Sequence, residues 1–171
     1  MHSLQILSSA FFDICRLRLR PQNLPASSVL LGLTLLLYLV VTGILSLMQF
    51  PVKEAMLLTL IETGLLVVLT SSLLYITHYA TRITQTITAL AGTNSLLGIF
   101  TFPPLLWINF YNGDVSLPVL LLLGLIAWNF VIHAHILRHA LAVSFFMGFN
   151  LTLIIQLLTF SIINQLVPFT K

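Results

Sequence analysis

Between Arg20 and Lys53 the chain carries no charged side chain. The same gap returns between Arg82 and Asp114, between Asp114 and Arg138, and between Arg138 and Lys171. A helix rises 1.5 Å per residue, so about 20 mostly apolar residues cross the hydrocarbon of a bilayer, and each gap is long enough. Only 6% of the 171 residues are Asp, Glu, Lys or Arg, and 58% are hydrophobic. The mean hydropathy is +1.08. A soluble domain carries charge on about a quarter of its residues. Seven basic and four acidic residues cannot coat a water-soluble globule of this length. Composition therefore excludes a soluble enzyme, a nucleic-acid-binding domain and a disordered chain. The solvent for most of this chain is lipid.

The charges mark out five spans, at about 28–50, 55–79, 84–107, 117–137 and 140–166. Pro51 and Lys53-Glu54 close the first. His78 and Arg82 close the second, which holds Glu62. The third is polar and small in its first half, and Pro103-Pro104 is expected to end it, leaving Leu105 to Tyr111 as an interfacial turn. A discontinuous third helix of the kind that builds transporter sites is the alternative. Arg138-His139 closes the fourth span, and Lys171 lies beyond the fifth. The reading is an all-α, polytopic transmembrane bundle over 28–171, preceded by an N-terminal segment, 1–27. Connections this short leave no room for a soluble catalytic domain.

Orientation follows from the positive charges near span ends. With the N-terminus inside, Arg16, Arg18, Arg20, Arg82 and Arg138 fall on the inner side, and Lys53 and Lys171 outside with Glu54 and Asp114. The expectation is an N-terminus in the cytoplasm and an outer, periplasmic C-terminus, in a bacterial cytoplasmic membrane. The first 15 residues hold no Lys or Arg, so they do not read as a secretory signal. Leu4, Leu7, Phe11 and Ile14 recur at helical spacing and predict an interfacial amphipathic helix. The five arginines would meet anionic lipid headgroups. Cys15 is the single cysteine and can form no internal disulfide.

Glu62 is the only acid well inside a span, and an ionised carboxylate there costs about 2.5–3.5 kcal/mol on insertion scales. It reads as a proton or cation site, or as a protonated group hydrogen-bonded to a neighbouring helix, with Asn94, Asn150 and Gln156 as available partners. His133, His135 and His139 gather at the inner end of the fourth span, with His78 ending the second. Histidines on two helices at one depth are what bis-imidazole haem ligation needs. A helix end rich in His and Arg is equally what dipole compensation and headgroups favour. Ala140, Ser144, Gly148 and Thr152 recur every four residues, a stripe that lets helix backbones approach closely.

No GxSxG elbow, Walker loop, HExxH or GxGxxG occurs, and no internal duplication marks an inverted-repeat carrier. Arg20-Pro21-Gln22-Asn23-Leu24-Pro25 before the first span, Trp128-Asn129 and His135-Ile136-Leu137-Arg138-His139-Ala140-Leu141 at the fourth-to-fifth junction resemble small bacterial members of the Yip1 family, as does the five-span order. That resemblance implies an integral membrane protein without enzymatic activity.

The expectation is a non-enzymatic scaffold or accessory subunit. It would act through helix packing and through contacts with membrane lipids and a membrane protein partner or a second copy, with no cofactor, metal or nucleic acid. The alternatives are a haem- or quinone-associated subunit using His78, His133 and His135, and a small channel or proton-coupled carrier using Glu62.

Overall fold

The structure, a computed structural model, describes residues 2–111 and 113–167, with side chains from residue 9 onward. Lys171 and the Leu4 and Leu7 side chains lie outside the described residues. Six α-helices follow in order: α1 His2–Cys15, α2 Ser28–Leu47, α3 Val52–Ile76, α4 Ile83–Phe110, α5 Ser116–Leu141 and α6 Phe145–Leu166. The last five are long and apolar enough to cross a membrane. They alternate in direction, so that all five arginines lie at one end of the bundle, the arginine end, and Lys53, Glu54 and Asp114 at the other.

Local chemistry sets the boundaries. The Ser27 hydroxyl caps α2 by accepting from the Leu30 N–H at 3.4 Å, and Ser144 caps α6 by accepting from Met147 N–H at 3.3 Å. Asp114 Oδ1 accepts from the N–H (2.9 Å) and hydroxyl (2.6 Å) of Ser116 ahead of α5. These bonds hold its carboxyl below the usual Asp range. The three helices that reach the arginine end, α1, α3 and α5, are each followed by a non-glycine residue with positive φ: Leu17 (61°), His78 (63°) and Ala142 (57°). The left-handed turn is the ordinary way to stop a helix, though glycine adopts it at less cost.

Two boundaries correct the sequence reading. The fifth span does not begin at residue 140: α5 runs through Ala140 to Leu141, and α6 starts after the Ser144 cap. The four small residues therefore do not share one helix. Ala140 is buried at the end of α5, Ser144 satisfies a helix terminus, and of the four only Gly148 and Thr152 lie on the buried side of α6. The second correction concerns Pro103-Pro104, which neither end nor break the third span; α4 is continuous to Phe110. Each proline lacks one N–H donor, costing the bonds to the carbonyls of Ile99 and Phe100, and packing on neighbouring helices sustains the helix across the gap.

The helices α2, α4, α5, α6 and α3 follow one another around a ring, with α1 outside on α4 and α5. The polar, small-residue half of α4 is the centre. Thr86, Thr88, Thr93 and Ser95 are buried, and each hydroxyl donates to the carbonyl four residues earlier, at 2.7–2.8 Å. A hydroxyl satisfied within its own helix can be buried without a partner elsewhere. Close approach uses glycine: a Cβ on Gly98 would lie 2.5 Å from Val41 Cγ1 of α2, and one on Gly148 would lie 2.6 Å from the Ala134 carbonyl oxygen of α5.

The described part of α1 turns its apolar side into protein. Ile14 is fully buried with Leu24, Ala89, Leu90 and Ile136. The Phe11 ring covers Gly92, and Phe12 meets Phe100 edge-on at 6.3 Å. Phe100 lies about 25 Å along α4 from Ile83, so α1 follows α4 into the bundle's depth. The sequence had placed this face toward lipid.

Candidate functional site

A cavity of about 520 Å³ lies between all five spanning helices. The helix α2 contributes Tyr38, and the other four each contribute one face at helical spacing: Glu62, Leu66 and Thr70 from α3, Asn94, Leu97 and Thr101 from α4, Asn129, His133 and Leu137 from α5, and Thr152, Gln156 and Thr159 from α6. On α5 the lining runs from Leu122 to Leu137, about 22 Å along the axis. Glu62 is the only charged residue among those lining it.

The polar groups are organised around Asn94. Its Oδ1 accepts from Asn129 Nδ2 and from His133 Nε2, each at 2.8 Å. Asn129 and His133 are four residues apart on α5 and so reach one point on α4. With Asn94 Oδ1 as acceptor, His133 donates from Nε2. Asn94 Nδ2 makes no hydrogen bond to a described residue and is not occluded, which leaves amide donors open to the cavity. The Glu62 carboxyl makes no hydrogen bond to a described residue either, and sits close enough to Tyr38 for the two to interact electrostatically.

The seam between α3 and α6 closes the ring. An apolar cluster toward the lysine end joins them, Leu58 with Ile163 and Val167, and another at the arginine end gathers Leu73, Leu74, Ala140, Leu141 and Leu151. Between the clusters, Glu62 to Thr70 of α3 and Thr152 to Thr159 of α6 line the cavity.

Of the neutral partners expected for Glu62, Asn94 and Gln156 line the same cavity. Asn150 is exposed and bonds its own helix at the Phe146 carbonyl, 2.8 Å away. Tyr38 and Asn129 were missed as site residues. The spacing of Asn129 to His133 was the available signal for one; nothing in the apolar first span singled out Tyr38.

The histidines point to three places. His133 joins Asn94, while His135 donates from Nε2 to the Leu19 carbonyl at 3.1 Å. His78 is exposed in the turn after α3 and does not line the cavity. No group of three or more His, Cys, Asp or Glu able to hold a metal ion occurs among the described residues. Cys15 is half-buried, and burial pushes its thiol up to about 11.

At the arginine end, Arg20, Arg82 and Arg138 converge with Gln22 and His139 on a second hollow. Arg16 and Arg18 stand outside it, exposed. Gln22 Nε2 donates to the His139 carbonyl, and Gln22 Oε1 is buried without a donor among the described residues.

These features define an all-α protein of five candidate membrane spans with a short N-terminal helix, an integral membrane protein by composition and architecture. No family model, no curated protein and no solved structure matches the chain.

Proposed function

We propose that the protein is a small, non-enzymatic membrane carrier that takes a hydrogen-bonding or cationic solute into the cavity between its five spans. The observation that supports this reading is a cavity along the bundle, apolar over most of its wall, into which every spanning helix brings a polar group and whose one charged residue, among the described residues, is Glu62. Its volume falls within the range of about 300–1,000 Å³ typical of small-molecule sites. Among the described residues no Arg or Lys lines it, so an anion would find no counter-charge there. An ionised Glu62 is costly at this depth unless a proton or a cationic ligand neutralises it. Exchange of one for the other at the carboxyl is the mechanism. Asn94, Asn129 and Gln156 would orient the uncharged part of the solute. The arginine end is the cytoplasmic side by the positive-inside rule, in a membrane of the bacterial inner type.

Purified full-length protein in proteoliposomes, loaded with a pH-sensitive dye and offered ammonium, choline and methylated amines, tests this. Cation-dependent proton movement is expected, abolished by Glu62→Gln and partly kept by Glu62→Asp. Flux indifferent to Glu62→Gln, or no flux with any of these cations, overturns it.

The Yip1-like order of spans and the segments 20–25, 128–129 and 135–141 support a second reading, a scaffold or accessory subunit with a membrane protein partner. Mild-detergent purification from native membranes separates the two: a stoichiometric partner favours the second, a chain carrying only lipid the first. Gly148 and Thr152 belong to the contact with α5 and α6's own backbone, so the outer surface of the bundle would have to supply that interface.

A further inference from the structure

From the hollow at the arginine end, of about 470 Å³, we infer that the protein has a phosphate-binding site formed by Arg20, Arg138 and the edge of Arg82, independent of the cavity around Glu62. The cations come from three separate parts of the chain: the link after α1, the turn before α4, and the last turn of α5. Among the described residues no carboxylate lines the hollow, and none of the three arginines forms an ion pair. Unpaired guanidinium groups held together repel one another, and an oxyanion with several acceptor oxygens relieves that repulsion with paired, charge-assisted hydrogen bonds.

Arg82, Arg138 and the backbone that carries the exposed Arg20 are held in place before any anion arrives. Arg82 Nη1 donates to the carbonyls of Ala140 (2.8 Å) and His139 (3.2 Å), and its guanidinium lies 4.7 Å from the centre of the Tyr79 ring. Arg82 thus caps the α5 carbonyls and fixes the floor of the hollow. Arg138 donates from Nε to His139 Nε2 at 3.2 Å, and its guanidinium lies 5.9 Å from the centre of the Phe145 ring. The His139 ring is held edge-on to His135 at 4.6 Å. The link that carries Arg20 is pinned to α4 by Gln85 Nε2, which donates to the carbonyls of Leu24 (2.7 Å) and Gln22 (3.1 Å). The His135 bond to Leu19 ties the same link to α5. Groups already ordered lose little freedom on binding. Arg20 itself makes no hydrogen bond to a described residue, so its donors are left for the anion.

Two sources supply such an oxyanion at the end of a membrane bundle: a phospholipid headgroup and a free phosphate or phosphate ester. Full-length protein in nanodiscs of neutral phosphatidylcholine separates them. Phosphatidylglycerol is introduced in one arm and inorganic phosphate in the other, with retained lipid read by native mass spectrometry and thermal stability by melting. Each arginine near an anionic headgroup strengthens binding several-fold, so Arg20→Gln with Arg138→Gln should weaken it about thirtyfold. Arg16→Gln with Arg18→Gln, outside the hollow, should change it less than threefold. Selective retention of phosphatidylglycerol assigns a lipid site; stabilisation by phosphate alone assigns a soluble ligand. The proposal is overturned if neither anion binds, or if both pairs of substitutions weaken binding equally, which would describe a diffuse basic surface. Arg82 is left intact because its removal would uncap α5.

Discussion

The helices α2 and α4 lie side by side, yet they solve burial in opposite ways. The most apolar stretch of α2 has 17% of its residues buried; in α4, the least apolar of the five, the figure is 50%. In water the order would be reversed. In lipid, apolar side chains gain nothing from being inside, so small residues and self-satisfied hydroxyls take the centre, where backbones approach closely. Leu33, Leu36, Leu37 and Val40 of α2 face outward, while Thr86, Thr88, Thr93 and Ser95 of α4 are buried. The polar stretch that weakened the case for a third span is therefore what makes α4 central.

Glycine gives the sharpest way to break that comparison. Gly98 of α4 and Gly148 of α6 face atoms that a Cβ would overlap, whereas Gly32 of α2 has nothing within 4 Å. Gly98→Leu and Gly148→Leu should each cost about 3 kcal/mol and collapse yield and melting temperature in detergent. Gly32→Leu should leave both unchanged. Equal tolerance at all three sites would remove α4 from the centre.

The next effect comes from the polar bridge across α4. Asn94→Leu removes the acceptor shared by Asn129 and His133, and should cost about 1–3 kcal/mol. Thr63→Val, whose hydroxyl donates to the Thr59 carbonyl of its own helix at 2.8 Å, serves as the comparison and should cost less than about 1 kcal/mol. Both are read by melting in the same detergent. A smaller change of opposite sign is expected at Ala142, where φ is 57°: Ala142→Gly should stabilise by about 1 kcal/mol, and a fall in melting temperature would show that the turn after α5 is held by something else.

The smallest effect concerns Cys15, the last residue of α1, packed against the buried cluster that holds Ile14 and Leu24. Its thiol is raised to about 11, so the folded chain holds that proton after an unfolded one has released it. Stability should decline slightly as pH rises from about 9 toward 11, the sign expected for a group neutral in the fold. At pH 8, alkylation of the native protein should be far slower than after denaturation. Equal rates would mean that α1 is undocked.

The sequence carried the helices because charge spacing and span length are nearly sufficient in a bilayer. It carried less of their ends. The stripe from Ala140 to Thr152 looked continuous because four-residue spacing is blind to a left-handed turn at a non-glycine such as Ala142. Pro103-Pro104 looked like a stop because local rules take no account of neighbouring helices. In the site, Glu62, Asn94 and Gln156 were legible as polar residues within spans, since such residues are few. The convergence of Arg20, Arg82 and Arg138 was legible only as a shared side of the membrane, because the distances that bring them together run through Gln22, Gln85 and His135.

The most direct measurement of the central claim is thiol labelling in intact membranes. In a Cys15→Ser background, single cysteines would replace Glu62 and Gln156 in the cavity and Val40 on the outer face of α2. The account predicts that a small charged thiol reagent modifies positions 62 and 156 at least tenfold faster than position 40. Equal, slow modification at all three would contradict a cavity among the spans that water reaches.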